Sequence, residues 1–361
     1  MITVLIVNIL AVFFAFIESN KSNKHGLKIS IFIIFLFLAL RYDFGNDYMG
    51  YLEMFREIYI HASWGIASFN IKGNEIGWFY LNRIFGLLGY NGFFAMVAVL
   101  AAFNCNILYR FIRKYVPSRY YWFAIFLYTF QVSQMLTLSS AMRQAVAVSV
   151  FMLAIDFIIK KEPIKYLILI FIATLFHTSA VVLFPFIIFA YINRRIKLIH
   201  IAIIFVIFTI LAYSVNETFQ YINIITSDQY INDYTYYLKD VESVSSPKLG
   251  AGFMLNIIIY FIVMYYSRFE TKNTNNLLFK IAIMSFLIIP LGFSIQLIGR
   301  LNFYLMPVFL AVFPLVFDKM NGLKRYSYIG IVILFTLYDF YIFFNMDLWK
   351  SFRVYHTIFT F

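Results

Sequence analysis

Uninterrupted apolar runs of about 15 to 20 residues recur along the whole chain, and few folds can absorb them. A helix needs about 20 apolar residues to cross a bilayer. A soluble domain is about 45–50% apolar, whereas this 361-residue chain is 63% hydrophobic and only 13% charged. The runs are continuous rather than alternating, which argues against a transmembrane β-barrel. The pattern predicts an all-α polytopic membrane protein built as a single integral membrane domain over 1–361. About twelve spans fit, at 2–17, 27–40, 91–112, 120–138, 140–159, 164–177, 178–192, 198–214, 251–267, 277–298, 301–317 and 327–345. Residues 1–17 lack a basic leader and a small-residue cleavage site, so they read as a retained first span.

The loops test this assignment. The net charge is +12, which in a soluble protein would suggest nucleic acid as a partner. Here the basic residues sit in short loops, so they read as topology signals and nucleic acid is excluded. Loops 18–28, 110–119, 160–165, 193–200, 268–280 and 318–325 are all net positive and all fall on one side, the cytoplasm. The opposite side holds segments 41–75 and 215–250, both net acidic, and both termini. Residues 76–90, IGWFYLNRIFGLLGY, are apolar but short, and they contain Asn82 and Arg83. Counting them as a crossing would invert every later loop. They therefore read as a re-entrant or interfacial helix within an extracytoplasmic loop, 41–90. Trp64 and Trp78 suit the outer headgroup layer. The second outer loop, 215–250, carries Tyr221, Tyr230, Tyr234, Tyr236 and Tyr237 and is expected to form short helices over the outer face.

Ionisable residues then cluster at the outer ends of spans. RYDFGNDYMGY, residues 41–51, follows directly on an apolar run and holds Arg41, Asp43, Asp47, Tyr48 and Tyr51. Arg143 and Gln144 lie near the outer start of a span, His177 closes another, and Arg300 stands between two spans with Tyr304 one turn on. Such groups are costly near the membrane and are usually retained for a pathway, a partner or a reaction. Each has an ordinary alternative. Arg143 and Arg300 could snorkel to the interface. His177 could be the polar turn of a helical hairpin. Asp43 could pair with Arg41, and Glu75 with Arg83. Asp47 has no partner nearby in sequence, which makes it the better candidate carboxylate. Asp156 and Asp339 lie within spans and fit none of these groups. The single cysteine, Cys105, can form no intrachain disulfide.

No zinc-protease, Walker, GxSxG or acidic metal-binding motif is present, and no two histidines share metal-ligand spacing. Arginines converging on one outer pocket call for an anion, and a guanidinium holds phosphate with paired hydrogen bonds. At this face the fitting anion is a lipid-linked phosphate or pyrophosphate.

RYDFGNDYMGYLEMF resembles the R-x-x-x-G-x-D-Y-x-x-Y signature of EpsG-like and Wzy-type polysaccharide polymerases. Arg143-Gln144, the FHTSA stretch around His177 with Pro185 downstream, and Arg300 to Tyr304 occur in the same order as in that family, as does Glu75–Gly77 at the start of a short helix. The resemblance runs from about residue 30 to 320. It implies a glycosyltransferase of the bacterial plasma (inner) membrane with a GT-C-like architecture, a periplasmic or extracellular active site, and no cofactor or metal. The implied substrate is an undecaprenyl-pyrophosphate-linked oligosaccharide used to make O-antigen, capsule or exopolysaccharide, with a chain-length regulator as a further partner. On this resemblance Arg143 and Arg300, with Arg41 as a third candidate, face the pyrophosphate. Asp47 or His177 is the base, or orients the acceptor. Asp43, Tyr48, Tyr51, Gln144 and Tyr304 would contact substrate. A flippase of lipid-linked glycan is the main alternative, with an O-antigen ligase or a membrane acyltransferase behind it. A flippase would need charge through the full membrane depth, and here charge gathers near the outer end. Single cysteines placed in 41–75 should be labelled by an impermeant thiol reagent from outside the cell; labelling only after the membrane is breached would invert the topology.

Overall fold

Backbone polar groups inside a bilayer must be satisfied within the segment, so long apolar runs become helices. The computed structural model describes residues 1–61, 75–192, 197–225, 251–294 and 296–360. In chain order the helices are α1 (Ile2–Ser19), α2 (Gly26–Ala39), α3 (Tyr48–His61), α4 (Ile76–Gly86), α5 (Gly92–Tyr115), α6 (Tyr121–Phe130), α7 (Met135–Ser140), α8 (Met142–Ile159), α9 (Pro163–Phe176), α10 (Leu198–Ile225), α11 (Ala251–Ser267), α12 (Asn273–Ser294), α13 (Gln296–Leu305), α14 (Phe309–Lys319) and α15 (Gly322–Asn345). A two-residue strand β1 (Arg41–Tyr42) pairs antiparallel with β2 (His356–Thr357).

Among the described residues, six helical stretches are long and apolar enough to cross a membrane: Ile2–Ser19, Gly92–Tyr115, Met142–Ile159, Asn273–Gly292, Ile298–Lys319 and Gly322–Asn345. Five more are apolar but shorter. Several expected spans are therefore interrupted. The stretch 120–138 breaks at Gln131–Gln134 into α6 and α7. Residues Thr178–Ala190 form a 3₁₀ helix rather than an α-helix, with Pro185, which has no N–H to donate, in its interior. The stretch 301–317 is interrupted by a 3₁₀ turn, Met306–Val308, that contains Pro307. Helix α4 has 11 residues, a length of about 16 Å and too short to span. Trp78, expected in the headgroup layer, is instead fully buried against Tyr51, with ring centroids 5.1 Å apart. Helix α10 runs beyond the expected end of its span at 214. Trp64, Tyr230, Tyr234, Tyr236 and Tyr237 lie outside the described residues.

The chain divides into two compact units, Met1–Asn193 with Pro307–Phe361, and Arg194–Met306. In the first unit, Asn8 Nδ2 donates to the Thr129 carbonyl at 3.0 Å and joins α1 to α6. The basic loops are tied down by carboxylates: Arg113 meets Glu18 at 2.7 Å, Lys114 meets Asp156 at 2.6 Å and Arg119 meets Asp318 at 2.5 Å. Asp156, unplaced by sequence, thus belongs to this belt, with Tyr115 donating to it as well. Asp339 is exposed on α15, and nothing in the structure explains it. In the second unit, Phe205 of α10 stacks on Phe286 of α12 with centroids 4.5 Å apart.

The C-terminal segment of the first unit folds back onto the loop after α2. Tyr355 stacks on Phe37 at 4.6 Å and its hydroxyl donates to the Phe37 carbonyl at 2.6 Å. Phe352 is fully buried and meets Phe44 edge-on at 5.1 Å. Asn46 Nδ2 donates to the Leu348 carbonyl at 3.1 Å. Phe352→Ala should therefore cost about 3 kcal/mol, read as a lower midpoint in thermal unfolding of the detergent-purified protein; an unchanged midpoint would remove the clamp.

Candidate active site

The site grows from the junction between α7 and α8. Ser139 and Ser140 close α7, and Arg143 stands in the first turn of α8. Both serines hold the loop after α2. Arg41 Nη2 donates to the Ser139 carbonyl at 2.8 Å, and the Asp47 N–H donates to Ser140 Oγ at 3.0 Å. Gly45 makes this possible. Its φ is +106°, and a Cβ there would lie 3.1 Å from Ser140 Cβ, so a side chain would meet both strain and a neighbour. Asp43 also takes a positive φ, 45°. Its side chain and that of Asp47 are exposed. Arg41 and Asp43 form no ion pair; the guanidinium turns to Ser139 instead. Tyr48 is fully buried, its hydroxyl donating to the Arg41 carbonyl at 2.9 Å and its ring set against Phe93 at 5.4 Å.

A second group meets one helical turn further on. Glu75, just before α4, receives Arg143 Nη1 on Oε2 and lies 3.1 Å from His177 Nδ1 through Oε1. Three elements distant in sequence supply this triad: the N-terminus of α4, the first turn of α8 and the break after α9. A carboxylate only accepts, so His177 Nδ1 carries the hydrogen and Nε2 is the imidazole's acceptor nitrogen. His177 has an extended backbone, φ −154° and ψ 113°, which ends α9. Gly77 lets α4 approach that end. A Cβ on it would lie 2.8 Å from the Leu175 carbonyl oxygen, a backbone atom with no freedom to retreat. Tyr51 forms a wall, with the Arg143 Cζ 5.7 Å from its ring centroid and Trp78 behind it.

The triad is partly buried, with side-chain exposures of 13% for Glu75 and 23% for Arg143 and His177. Burial alone would raise the Glu75 pKa, but the hydrogen bond from His177 and the Arg143 charge outweigh it and hold the carboxylate below its usual value. Burial pushes the Tyr51 phenol up, with Arg143 opposing.

Of the residues singled out by sequence, the structure gathers Arg143, His177 and Tyr51 around Glu75. Arg41, Asp47 and Tyr48 gather around Ser139 and Ser140. Gln144 is buried beside Arg143 in sequence. Arg300 and Tyr304 lie on α13 in the second unit, Arg300 exposed and Tyr304 fully buried; Asn302 between them accepts from Ser285 at 2.5 Å. The ordinary alternative for Glu75, a pair with Arg83, is not formed: Glu75 meets Arg143 and His177, and Arg83 Nη1 donates to the Ile58 carbonyl at 3.2 Å. The signal for Glu75 was the glycine two residues on.

Because the folded Glu75 pKa is depressed, its pairing stabilises above the ordinary value of 4.5 and is lost as pH falls through the folded value. Wild type should exceed Glu75→Gln by about 2 kcal/mol at neutral pH. The two thermal midpoints should converge below about pH 4.5; a gap independent of pH would mean that Glu75 is not charged in the fold.

The family model of the EpsG family matches residues 27–357, which takes in every residue of both clusters. The comparisons with curated proteins and with solved structures found no match. With nearly its whole length matched, this helical, multi-pass membrane chain belongs to the EpsG family, a Wzy-like polymerase family of polysaccharide biosynthesis.

Proposed function

We propose that the protein is a polymerase that joins oligosaccharide repeat units carried on undecaprenyl pyrophosphate, working at the outer face of the plasma membrane in an architecture of the GT-C type. The observation that carries the reading is the Glu75 carboxylate holding His177 on one oxygen and Arg143 on the other, in a chain of a polymerase family.

Glycosyl transfer needs a base for the acceptor hydroxyl and positive charge where the leaving group separates. His177 takes the hydroxyl proton at Nε2. Glu75 fixes its tautomer and stabilises the imidazolium that forms, as a buried carboxylate does for a histidine in a hydrolytic triad. The acceptor oxygen then bonds to the anomeric carbon of the donor glycan. The bond to the pyrophosphate oxygen breaks with its electron pair, and undecaprenyl pyrophosphate departs. Arg143 positions Glu75 and adds charge beside the reaction. Arg300 keeps the phosphate-side role that the resemblance implies, and Asp47, exposed at the start of α3, orients the acceptor. This choice favours His177 over Asp47 as the base, because His177 has a carboxylate on its Nδ1 side. A chain-length regulator would act on this enzyme as a separate partner.

The glycan profile of a deletion strain complemented with variants tests the reading. His177→Ala, Glu75→Gln, Arg143→Ala and Arg300→Ala should each leave single repeat units on the lipid, at normal protein level, with extension down at least about a hundredfold for the first three. Normal chains from His177→Ala would remove it as the base. Loss of all surface glycan would indicate a flippase, and long unattached chains a ligase.

A further inference from the structure

A carboxyl group on the exposed side of α15 has no role in the fold described so far. Asp339 lies in a helix long and apolar enough to cross a membrane, six residues before its end at Asn345, and so about 9 Å inside it. The side chain is exposed. Among the described residues no hydrogen bond or ion pair reaches it, nor the hydroxyl of its neighbour Tyr338, which is 57% exposed. Ionisable residues within spans are costly, and they usually face a cavity or a pairing group rather than lipid. Lipid tails can cover the exposed Ile331 and Ile342 of the same helix, so those side chains alone call for nothing. A carboxyl group and a phenol at that depth do, because lipid tails offer neither a donor nor an acceptor.

The spacing says what would satisfy both. Ile331, Phe335, Tyr338 and Ile342 follow one another at intervals of four, three and four residues, the a/d spacing of a coiled-coil seam. The interior of the first unit uses a different stripe of α15. Val332, Thr336, Phe340 and Phe343 are buried, whereas Ile331, Tyr338 and Ile342 are exposed and Phe335 is half-buried. Asp339 takes the flanking e position. When two such helices run parallel, each knob on the seam enters a hole in the facing helix. The hole that receives Tyr338 includes the facing Asp339, so the phenol hydroxyl can donate to a carboxyl oxygen across the seam. The two aspartates fall on opposite flanks and do not face each other. Two copies of one chain share a topology, so a two-fold axis along the membrane normal sets every residue opposite residues at its own depth. The donor and the acceptor are adjacent in sequence, as that symmetry requires. A partner helix offering only a cation would satisfy Asp339 and leave the phenol without an acceptor.

We propose that the Ile331–Ile342 face of α15 is a self-association surface, on which a second copy of this chain docks in parallel with Tyr338 of each copy donating to Asp339 of the other. The proposal does not rest on the polymerase reading, because association can be read without glycan.

The test is oxidative cross-linking in membranes that hold the full-length protein with Cys105→Ser, so that one introduced cysteine reports its own surroundings. Ile342→Cys, on the seam, should give a band at twice the monomer mass. Phe171→Cys, exposed on α9, should give none. In the Ile342→Cys background, Asp339→Leu and Tyr338→Phe should each weaken the band about fivefold or more, the scale of hydrogen bonds between helices in a membrane. Asp339→Asn should keep it, since an amide oxygen accepts from the same hydroxyl. Tyr338→Phe removes a single exposed oxygen, so it decides the matter even if Asp339→Leu disturbs the fold. No band from Ile342→Cys, an equal band from Phe171→Cys, or an undiminished band with Tyr338→Phe would overturn the surface. A protein that stays monomeric in liposomes by single-molecule photobleaching, yet binds a polyleucine transmembrane peptide with one central lysine, would give this face to a cationic partner helix and overturn the second copy.

Discussion

A single carboxylate holds the candidate site together. Glu75 draws an arginine from one helix and a histidine from the end of another onto its two oxygens. Each of those groups is costly in a partly buried place on its own, and each becomes tolerable through the other two. The opposite charges of Glu75 and Arg143 cancel, so the pair can sit at the edge of an apolar unit. The histidine is left as the group whose proton can move. The helix carrying Glu75 is short, and its reach is set by Gly77, which lets two backbones touch where a methyl group would hold them apart.

The other anchored feature, the loop from Arg41 to Asp47, depends on backbone rather than charge. Two positive φ values, at Asp43 and Gly45, curl it so that the Asp47 N–H and the Arg41 guanidinium reach adjacent serines. Phe44 is thrown inward by the same curl and packs under the C-terminal segment. The aspartates are left at the surface. The loop thus separates its residues by depth: Arg41 and Tyr48 hold the fold from inside, while Asp47 is free to meet a solute.

The helical class and the positions of several helices were legible because hydropathy is a local property. Residues 251–267 were placed at the observed bounds of α11, and α1, α2 and α9 within a residue or two. Interruptions were harder to read. QVSQ at 131–134 carries neither glycine nor proline, and its backbone is satisfied by turn hydrogen bonds, the Gln134 N–H to the Gln131 carbonyl and the Thr137 N–H to the Val132 carbonyl, both at 2.9 Å. Partnerships were less legible still. Arg143 and His177 were visible as polar residues in apolar company, but Glu75 lay eight residues from Arg83, close enough to suggest a local pair. The contacts that decide its role come from 68 and 102 residues away. Tyr48 and Tyr51, expected on the resemblance to contact substrate, are buried, with their rings beside two guanidinium groups.

The clasp between the loop after α2 and residues 348–357 also bears on when the site can exist. Asn46 and its partner Leu348 are 302 positions apart, so the loop leaves the ribosome and enters the membrane long before its partner is made. At a synthesis rate of about 5–20 residues per second, that interval is on the order of 15 to 60 seconds. Throughout it, Phe37 and Phe44 lack their covering rings and Arg41 lacks the strand beside it. The loop after α2 is therefore finished last, and a chain stalled before residue 348 would hold most of its helices in place with that loop still unset.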